Sequence, residues 1–188
     1  MPNILHDKSD EELLEMLKTH SKSAFTELVH RHTSKFYALA YRMLMNKDVA
    51  EELVQEAFTK LWLRPDAWNE NRRTKFTTWF YRVVINLCLD RRKKDRYISD
   101  QGIEDVDVET YDHVEHTLDT QIIQREIDSW IEDLPPRQKI AINLVFYQGI
   151  NQKEAAKIMN TNLKTVESLL SRAKQSLRNR ARSLNYGR

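Results

Sequence analysis

The chain of 188 residues contains one cysteine, Cys88, three glycines and four prolines. A single thiol rules out an internal disulfide framework and suits a reducing compartment. Gly and Pro punctuate elements, and here they stand at wide intervals (Pro2, Pro65, Gly102, Pro135, Pro136, Gly149, Gly187). Long stretches are therefore free to be helical. No segment alternates polar and apolar residues between turn signals, so no strand is predicted. No apolar run is long enough to span a bilayer, and the N-terminus "MPNILHDKSDEELLEML" lacks the basic-then-apolar pattern of a secretory signal. These absences lead to an expectation of a cytoplasmic, all-α protein.

What is present is charge, and it is segregated. The net charge of +2 is the sum of two basic blocks and one acidic one. Residues 64–96 are basic, including Arg91, Arg92, Lys93 and Lys94. The stretch "SDQGIEDVDVETYDHVEHTLD" (99–119) holds eight Asp or Glu and no Lys or Arg. From Lys164 to Arg188 the chain is basic again. The acidic stretch has weak helical periodicity and reads as a flexible linker. Two helical domains are expected, at 8–97 and 121–185, joined by a linker at 98–120. A lone charge run is usually a solvated face, but two basic blocks in two helical domains point to a polyanion.

Helical patterns fill both domains. Ser9 and Glu12 form a capping box before Leu13, Leu14 and Leu17. A second stripe comprises Phe25, Leu28, Val29, Phe36, Leu39, Ala40 and Met43. Val49, Leu53, Ala57 and Leu61 follow at four-residue steps, and Pro65 ends that helix. Phe80, Val83, Val84 and Leu87 are the expected buried stripe of the next. After the linker, Ile123, Ile127, Trp130 and Ile131 form a stripe. A helix begins at the Pro135–Pro136 pair, runs to about Tyr147 and stops at Gly149.

The segment "NQKEAAKIMNTNLKTVESLLSRAKQSLR" (151–178) is the most informative. Asn151 and Glu154 cap a short helix that buries Ala155, Ala156 and Met159. Asn160–Asn162 makes a turn, and Asn162 caps a longer helix with Val166, Leu170, Ala173 and Leu177 inward. Lys164, Thr165, Ser168, Ser171, Arg172 and Gln175 lie outward or at the edge, and Arg172, Lys174 and Arg178 lie on the side away from the apolar stripe. This is either a helix-turn-helix, whose second helix fits the DNA major groove, or an ordinary helical hairpin.

Three motifs carry a family resemblance: "DVAEELVQEAFTKLW" (48–62), "KFTTWFYRVVINLCLDRRKK" (75–94), and "LPPRQKIAINLVFYQGINQKEAAKIMNTNLKTVESLLSRAKQSLR" (134–178). The first two resemble region 2 and the third resembles region 4 of extracytoplasmic-function (group 4) sigma factors of bacterial RNA polymerase. The resemblance implies that the chain binds core polymerase and directs promoter recognition, DNA melting and transcription initiation. On the 47–62 helix, Asp48, Glu52, Leu53, Gln55 and Glu56 are the positions implied to meet the β′ clamp helices. The β flap is a further implied partner, and such proteins are often held inactive by an anti-sigma factor.

For the minus-10 element, the resemblance points to Arg72, Arg73, Lys75, Trp79, Arg82, Asn86, Asp90, Arg91, Arg92, Lys93 and Lys94, with a loop at about 65–74 taking a flipped base. Cations interleaved with aromatics, Trp68 and Tyr81 among them, suit single-stranded DNA, where phosphates need charge and unstacked bases need rings. Asn86 either contacts DNA or braces the loop. Lys164, Thr165, Glu167, Ser168, Ser171, Arg172, Lys174 and Arg178 are implied to meet the minus-35 element, with Arg172 on guanine or phosphate and Lys174 and Arg178 on phosphate. The family commonly has Gly-Thr-Val-Lys-Ser where this chain has Lys164-Thr165-Val166-Glu167-Ser168, and Arg where it has Leu169. An acid at 167 disfavours phosphate but can accept from a cytosine amino group.

The residues show no phosphate-binding Gly loop and no catalytic constellation, and the carboxylates at 48–56 lack a His or Lys partner at useful spacing. No enzymatic activity, cofactor or metal is expected. His30 with His32, and His113 with His116, read as surface residues. Two other classes remain open: a helix-turn-helix regulator acting without core polymerase, and a helical interaction protein with no DNA function.

Overall fold

A computed structural model describes residues 5–68, 74–100 and 126–185. The chain divides into two compact units, Met1–Ile103 and Glu104–Arg188. Among the described residues every regular element is helical. Most of the expected linker, residues 101–120, lies outside the described residues, as do Ile123, His113 and His116.

The N-terminal unit contains α1 (Asp10–Lys18), α2 (Lys22–Leu44), α3 (Lys47–Leu63), a single 3-10 turn (Pro65–Ala67) and α4 (Phe76–Asp100). Helix α4 continues past position 97, into the span expected as linker. Helix starts follow local chemistry. The Ser9 hydroxyl accepts from Glu12 N–H while the Glu12 carboxylate accepts from Ser9 N–H. Asn46 caps α3 by accepting from Val49 N–H. Helix α1 stops with His20 in the left-handed region (φ 58°), its N–H on Leu17 O and that of Ser21 on Met16 O. This is a Schellman arrangement made without glycine.

The core of this unit is an aromatic cluster. Phe80 on α4 has its ring centroid 4.7 Å from Phe36 (α2), 4.9 Å from Phe58 (α3) and 5.2 Å from Phe76. The buried face of α4 differs from the expected stripe. Phe76, Phe80, Tyr81, Val84, Ile85 and Cys88 are buried, while Val83 and Leu87 sit at its margin. Helix α4 packs against both α2 and α3, so it buries two adjacent rows rather than one. For the same reason α3 buries Ala50, Val54 and Phe58 beside the expected Leu53, Ala57 and Leu61.

A polar network ties the segment before α1 to α2. Arg31 donates to Leu5 O, His6 O and Lys8 O, and to the carboxylates of Glu27 (2.8 Å) and Asp10 (3.2 Å). His32 is not a surface residue. It is only 8 % exposed, its ring packs on Phe36 and Phe76, and its Nε2 lies 2.8 Å from Asp10 Oδ2. The buried position is tolerable because that carboxylate satisfies the ring nitrogen. Partial burial raises the Asp10 pKa, but hydrogen bonds and charge from His32 and Arg31 outweigh it and hold the carboxyl below the ordinary 3.8.

A lowered carboxylate pKa contributes stability that is complete above the unfolded value and lost as pH falls through the folded value. Thermal melts taken between ~pH 5 and ~pH 2 are expected to show such a loss, and Asp10→Asn to flatten that acid limb. An acid limb as steep in Asp10→Asn as in the parent chain would mean that Asp10 is not part of it.

The C-terminal unit contains α5 (126–132), α6 (Pro136–Ile142), a π turn (Asn143–Tyr147), α7 (Gln152–Ile158) and α8 (Leu163–Asn185). The expected single helix to Tyr147 is thus α-helical only to Ile142, and then widens so that Gln148 N–H reaches Asn143 O at 3.0 Å. Gly149 follows at φ +65°, a conformation costly for other residues. Ile131, Leu134, Ile140, Leu144, Ala155, Ile158, Val166, Leu170 and Ala173 form the core.

Candidate functional site

Helix α8 is presented by its neighbours. Helix α7 starts under Asn151, whose Oδ1 accepts from Glu154 N–H (2.9 Å). It ends with Asn160 at φ 48°, where Asn160 N–H binds Lys157 O and Thr161 N–H binds Ala156 O. Two residues later Asn162 Oδ1 accepts from Thr165 N–H (2.8 Å) and opens α8. The turn is therefore built from an Asn that tolerates the left-handed region and an Asn that caps. With Val166, Leu170 and Ala173 buried, the side chains of Lys164, Glu167, Ser168, Ser171, Arg172, Lys174 and Arg178 are all exposed. Thr165 is half-buried and its hydroxyl donates to Asn162 Oδ1 (3.0 Å), so its first role is in the cap. Arg180 pairs with Asp133 at 2.7 Å, tying the far half of α8 to the segment after α5.

On α4, Trp79, Arg82, Asn86 and Asp90 recur at three- and four-residue steps, away from the buried row Phe76–Phe80–Val84–Cys88. Asn86 and Asp90 are exposed; Trp79 and Arg82 are half-buried. Lys75 is exposed just before the helix. Arg72 and Arg73, and with them much of the expected base-binding loop, lie outside the described residues. Two aromatics in the interleaved pattern are not available to bases. Trp68 is 3 % exposed, with its indole N–H on Thr74 O (3.0 Å) and its ring edge-on to Phe76. Tyr81 is buried against Phe36, and burial pushes its hydroxyl pKa upward. Both rings are packed inward.

The basic run that follows divides by partner. Arg91 lies 3.3 Å from Glu52 of α3 and 2.9 Å from Asp95. Arg92 donates to Met43 O at the C-terminal end of α2 (3.2 Å), where a cation meets unsatisfied carbonyls and the negative helix end. Lys93 and Lys94 project into solvent, Lys93 3.7 Å from Asp90.

On α3, Asp48, Glu51, Glu52 and Gln55 are exposed. Glu56 is half-buried and pairs with Lys60 at 2.6 Å, and the Gln55 amide donates to Glu51 (3.2 Å). Leu53 does not share this face. It is 5 % exposed and packs in the core, because it lies on the inward row of the helix. Beside Glu51 and Gln55 a groove of about 450 Å³ runs between α2 and α3, lined by Phe25, Val29, Tyr37, Val54 and Phe58.

Among the described residues no group of three or more His, Cys, Asp or Glu stands close enough to hold a metal ion, and no helix is long and apolar enough to cross a membrane. The N-terminal unit thus presents an exposed acidic face on α3 and a polar and basic face on α4, and the C-terminal unit by itself presents an exposed, largely basic face on α8.

Two family models match the chain in this order: Sigma-70 region 2 over residues 28–97, and Sigma-70 region 4 over residues 124–177. The chain belongs to the extracytoplasmic-function sigma factors. It is 29% identical over 181 residues to the ECF RNA polymerase sigma factor SigW of Bacillus subtilis, covering 91% of this chain and 96% of SigW. Among solved structures, CnrH in complex with the cytosolic domain of CnrY shares the fold with a TM-score of 0.69 at 20% identity, covering 94% of this chain and 99% of that one. The sigma factor RpoE of Bartonella quintana, solved with the anti-sigma factor NepR, gives 0.67 at 24% identity, covering 82% and 94%. The sigma-factor family thus accounts for both units, and the all-helical architecture is that of its solved members.

One exposed residue of the C-terminal unit is not legible as functional in the sequence. Phe146, in the π turn, is 52 % exposed, and Lys174 Nζ lies 4.9 Å from its ring centroid. A π turn leaves no periodicity signal, so nothing in the residue pattern sets Phe146 apart from a core aromatic.

Proposed function

We propose that this sigma factor binds core RNA polymerase through α3, engages and melts the minus-10 element through α4 and the residues before it, and reads the minus-35 element through α8. In this reading residues 8–97 and 121–185 act as two modules joined by the acidic span 98–120. The observation that carries it is the pairing, in one chain, of an exposed acidic face on α3 with a capped, basic recognition helix. A regulator of duplex DNA alone has use for the second and none for the first. On α4, Trp79, Arg82, Asn86 and Asp90 offer stacking surface and hydrogen bonds to an unpaired strand, while Lys93 and Lys94 meet the duplex backbone without reading it. On α8, Arg172 can take a guanine edge bidentately and Glu167 can accept from a cytosine amino group. The chain works without a cofactor. An anti-sigma factor is a further partner, by likeness to the Bartonella quintana complex.

The test is to mix the purified protein with bacterial core RNA polymerase, isolate any complex, and assay initiation on genomic fragments. The expected result is a one-to-one complex that initiates at discrete sites where core alone does not. Duplex binding by the protein alone, with no complex with core, would replace this reading by that of a polymerase-independent regulator.

A further inference from the structure

Phe146 is one of three large apolar side chains exposed among the described residues, and it sits in a rare geometry. π turns are rare and recur at functional sites. The ring carries a cation on its face: Lys174 Nζ is 4.9 Å from the centroid, inside the distance at which the ring quadrupole attracts an ammonium. Lys174 follows Ser171 by three residues and precedes Arg178 by four, so all three lie along one side of α8, and each is exposed.

We propose that Phe146 is a positioning residue for the duplex-DNA contact of α8, holding the Lys174 ammonium where it meets a backbone phosphate. The inference rests on the reading of α8 as the duplex-binding helix. A free lysine samples many rotamers, and a phosphate contact must order four torsions at once. A ring that already holds the ammonium removes part of that cost before DNA arrives. The face-on contact occupies one side of the –NH3+ group and leaves its remaining N–H donors for phosphate oxygens. Phe146 itself touches no DNA in this arrangement, and it carries no sequence preference. It sets the strength of a charge contact.

The experiment titrates the full-length protein against a fluorescent mixed-sequence DNA duplex several turns long, over a series of KCl concentrations, for the parent chain, Lys174→Gln, Phe146→Leu, Phe146→Tyr and the double variant Lys174→Gln/Phe146→Leu. Lys174→Gln is expected to weaken binding and to lower the slope of log K against log salt by about one. Phe146→Leu is expected to weaken binding about two- to five-fold, with an unchanged thermal melt because the ring is half in solvent. Phe146→Tyr keeps a π face and is expected to bind like the parent chain. The double variant is expected to be no weaker than Lys174→Gln alone. A Phe146→Leu defect that persists in the Lys174→Gln background, or parent-like binding by Phe146→Leu, overturns the positioning role while leaving α8 as the DNA helix. Parent-like binding by Lys174→Gln, or no duplex binding by the parent chain, overturns the reading of this face and the inference with it.

Discussion

Replacing Phe80 by Ala is expected to destabilise the N-terminal unit by about 3–5 kcal/mol. Its ring meets Phe36, Phe58 and Phe76, from two neighbouring helices and its own, at centroid distances of 4.7 to 5.2 Å. Truncation therefore removes the shared partner of three rings, in addition to the transfer free energy and the cavity left behind. Against a typical domain stability of roughly 5–15 kcal/mol, the loss is a large fraction. Urea denaturation followed by tryptophan fluorescence reads it, since Trp62, Trp68 and Trp79 all lie in this unit. Phe80→Leu keeps the site apolar and is expected to lose markedly less. A midpoint for Phe80→Ala indistinguishable from that of the parent chain would show that the cluster is not what holds α4 against α2 and α3.

Reversing charge at Glu52 and Glu56 together, as Glu52→Lys/Glu56→Lys, is expected to weaken association with core polymerase by about 100-fold or more, because an interface arranged for acids then meets like charge at a cost of several kcal/mol. Both side chains reach solvent, and Glu56 forms only a surface pair with Lys60. Such pairs contribute little to folding, so the thermal melt should barely move. Duplex binding through α8 should also persist. Leu53→Ala provides the contrast: being buried, it is expected to lower the melting temperature, and to affect polymerase binding only as far as it affects folding. A charge-reversed chain that still co-purifies with core polymerase at parent levels would remove α3 from the interface.

The parts of the fold that are legible in the sequence are those decided within a few residues. The capping box at Ser9 and Glu12, the caps at Asn151 and Asn162, the break before Pro65 and the turn at Asn160 are all local hydrogen-bonding problems with local solutions. The exposed residues of α8 follow from the 3.6-residue period alone. The rest depends on partners far along the chain. His32 reads as a surface residue because nothing near it in sequence can satisfy it; its partner is Asp10, 22 positions away. Arg92 reads as one of four equivalent cations, but Met43 O, 49 positions away, claims it. Trp68 and Tyr81 read as aromatic surface in a basic block because the sequence does not say which rings turn inward when α4 packs on two helices at once. The π turn is invisible for a different reason: widening a helix by one residue changes no residue type.

Cys88 stands on the buried row of α4, fully enclosed, and it is the sole thiol in the chain. A thiol reagent can therefore reach the protein at one place, and only when α4 lifts away from the aromatic cluster. The labelling rate under native conditions is a clock for opening of the N-terminal unit around Cys88. It requires no engineered probe, and it can be read in a mixture with polymerase or DNA by the mass added to this one chain. A ligand that clamps the N-terminal unit shut would slow that clock in proportion to its grip.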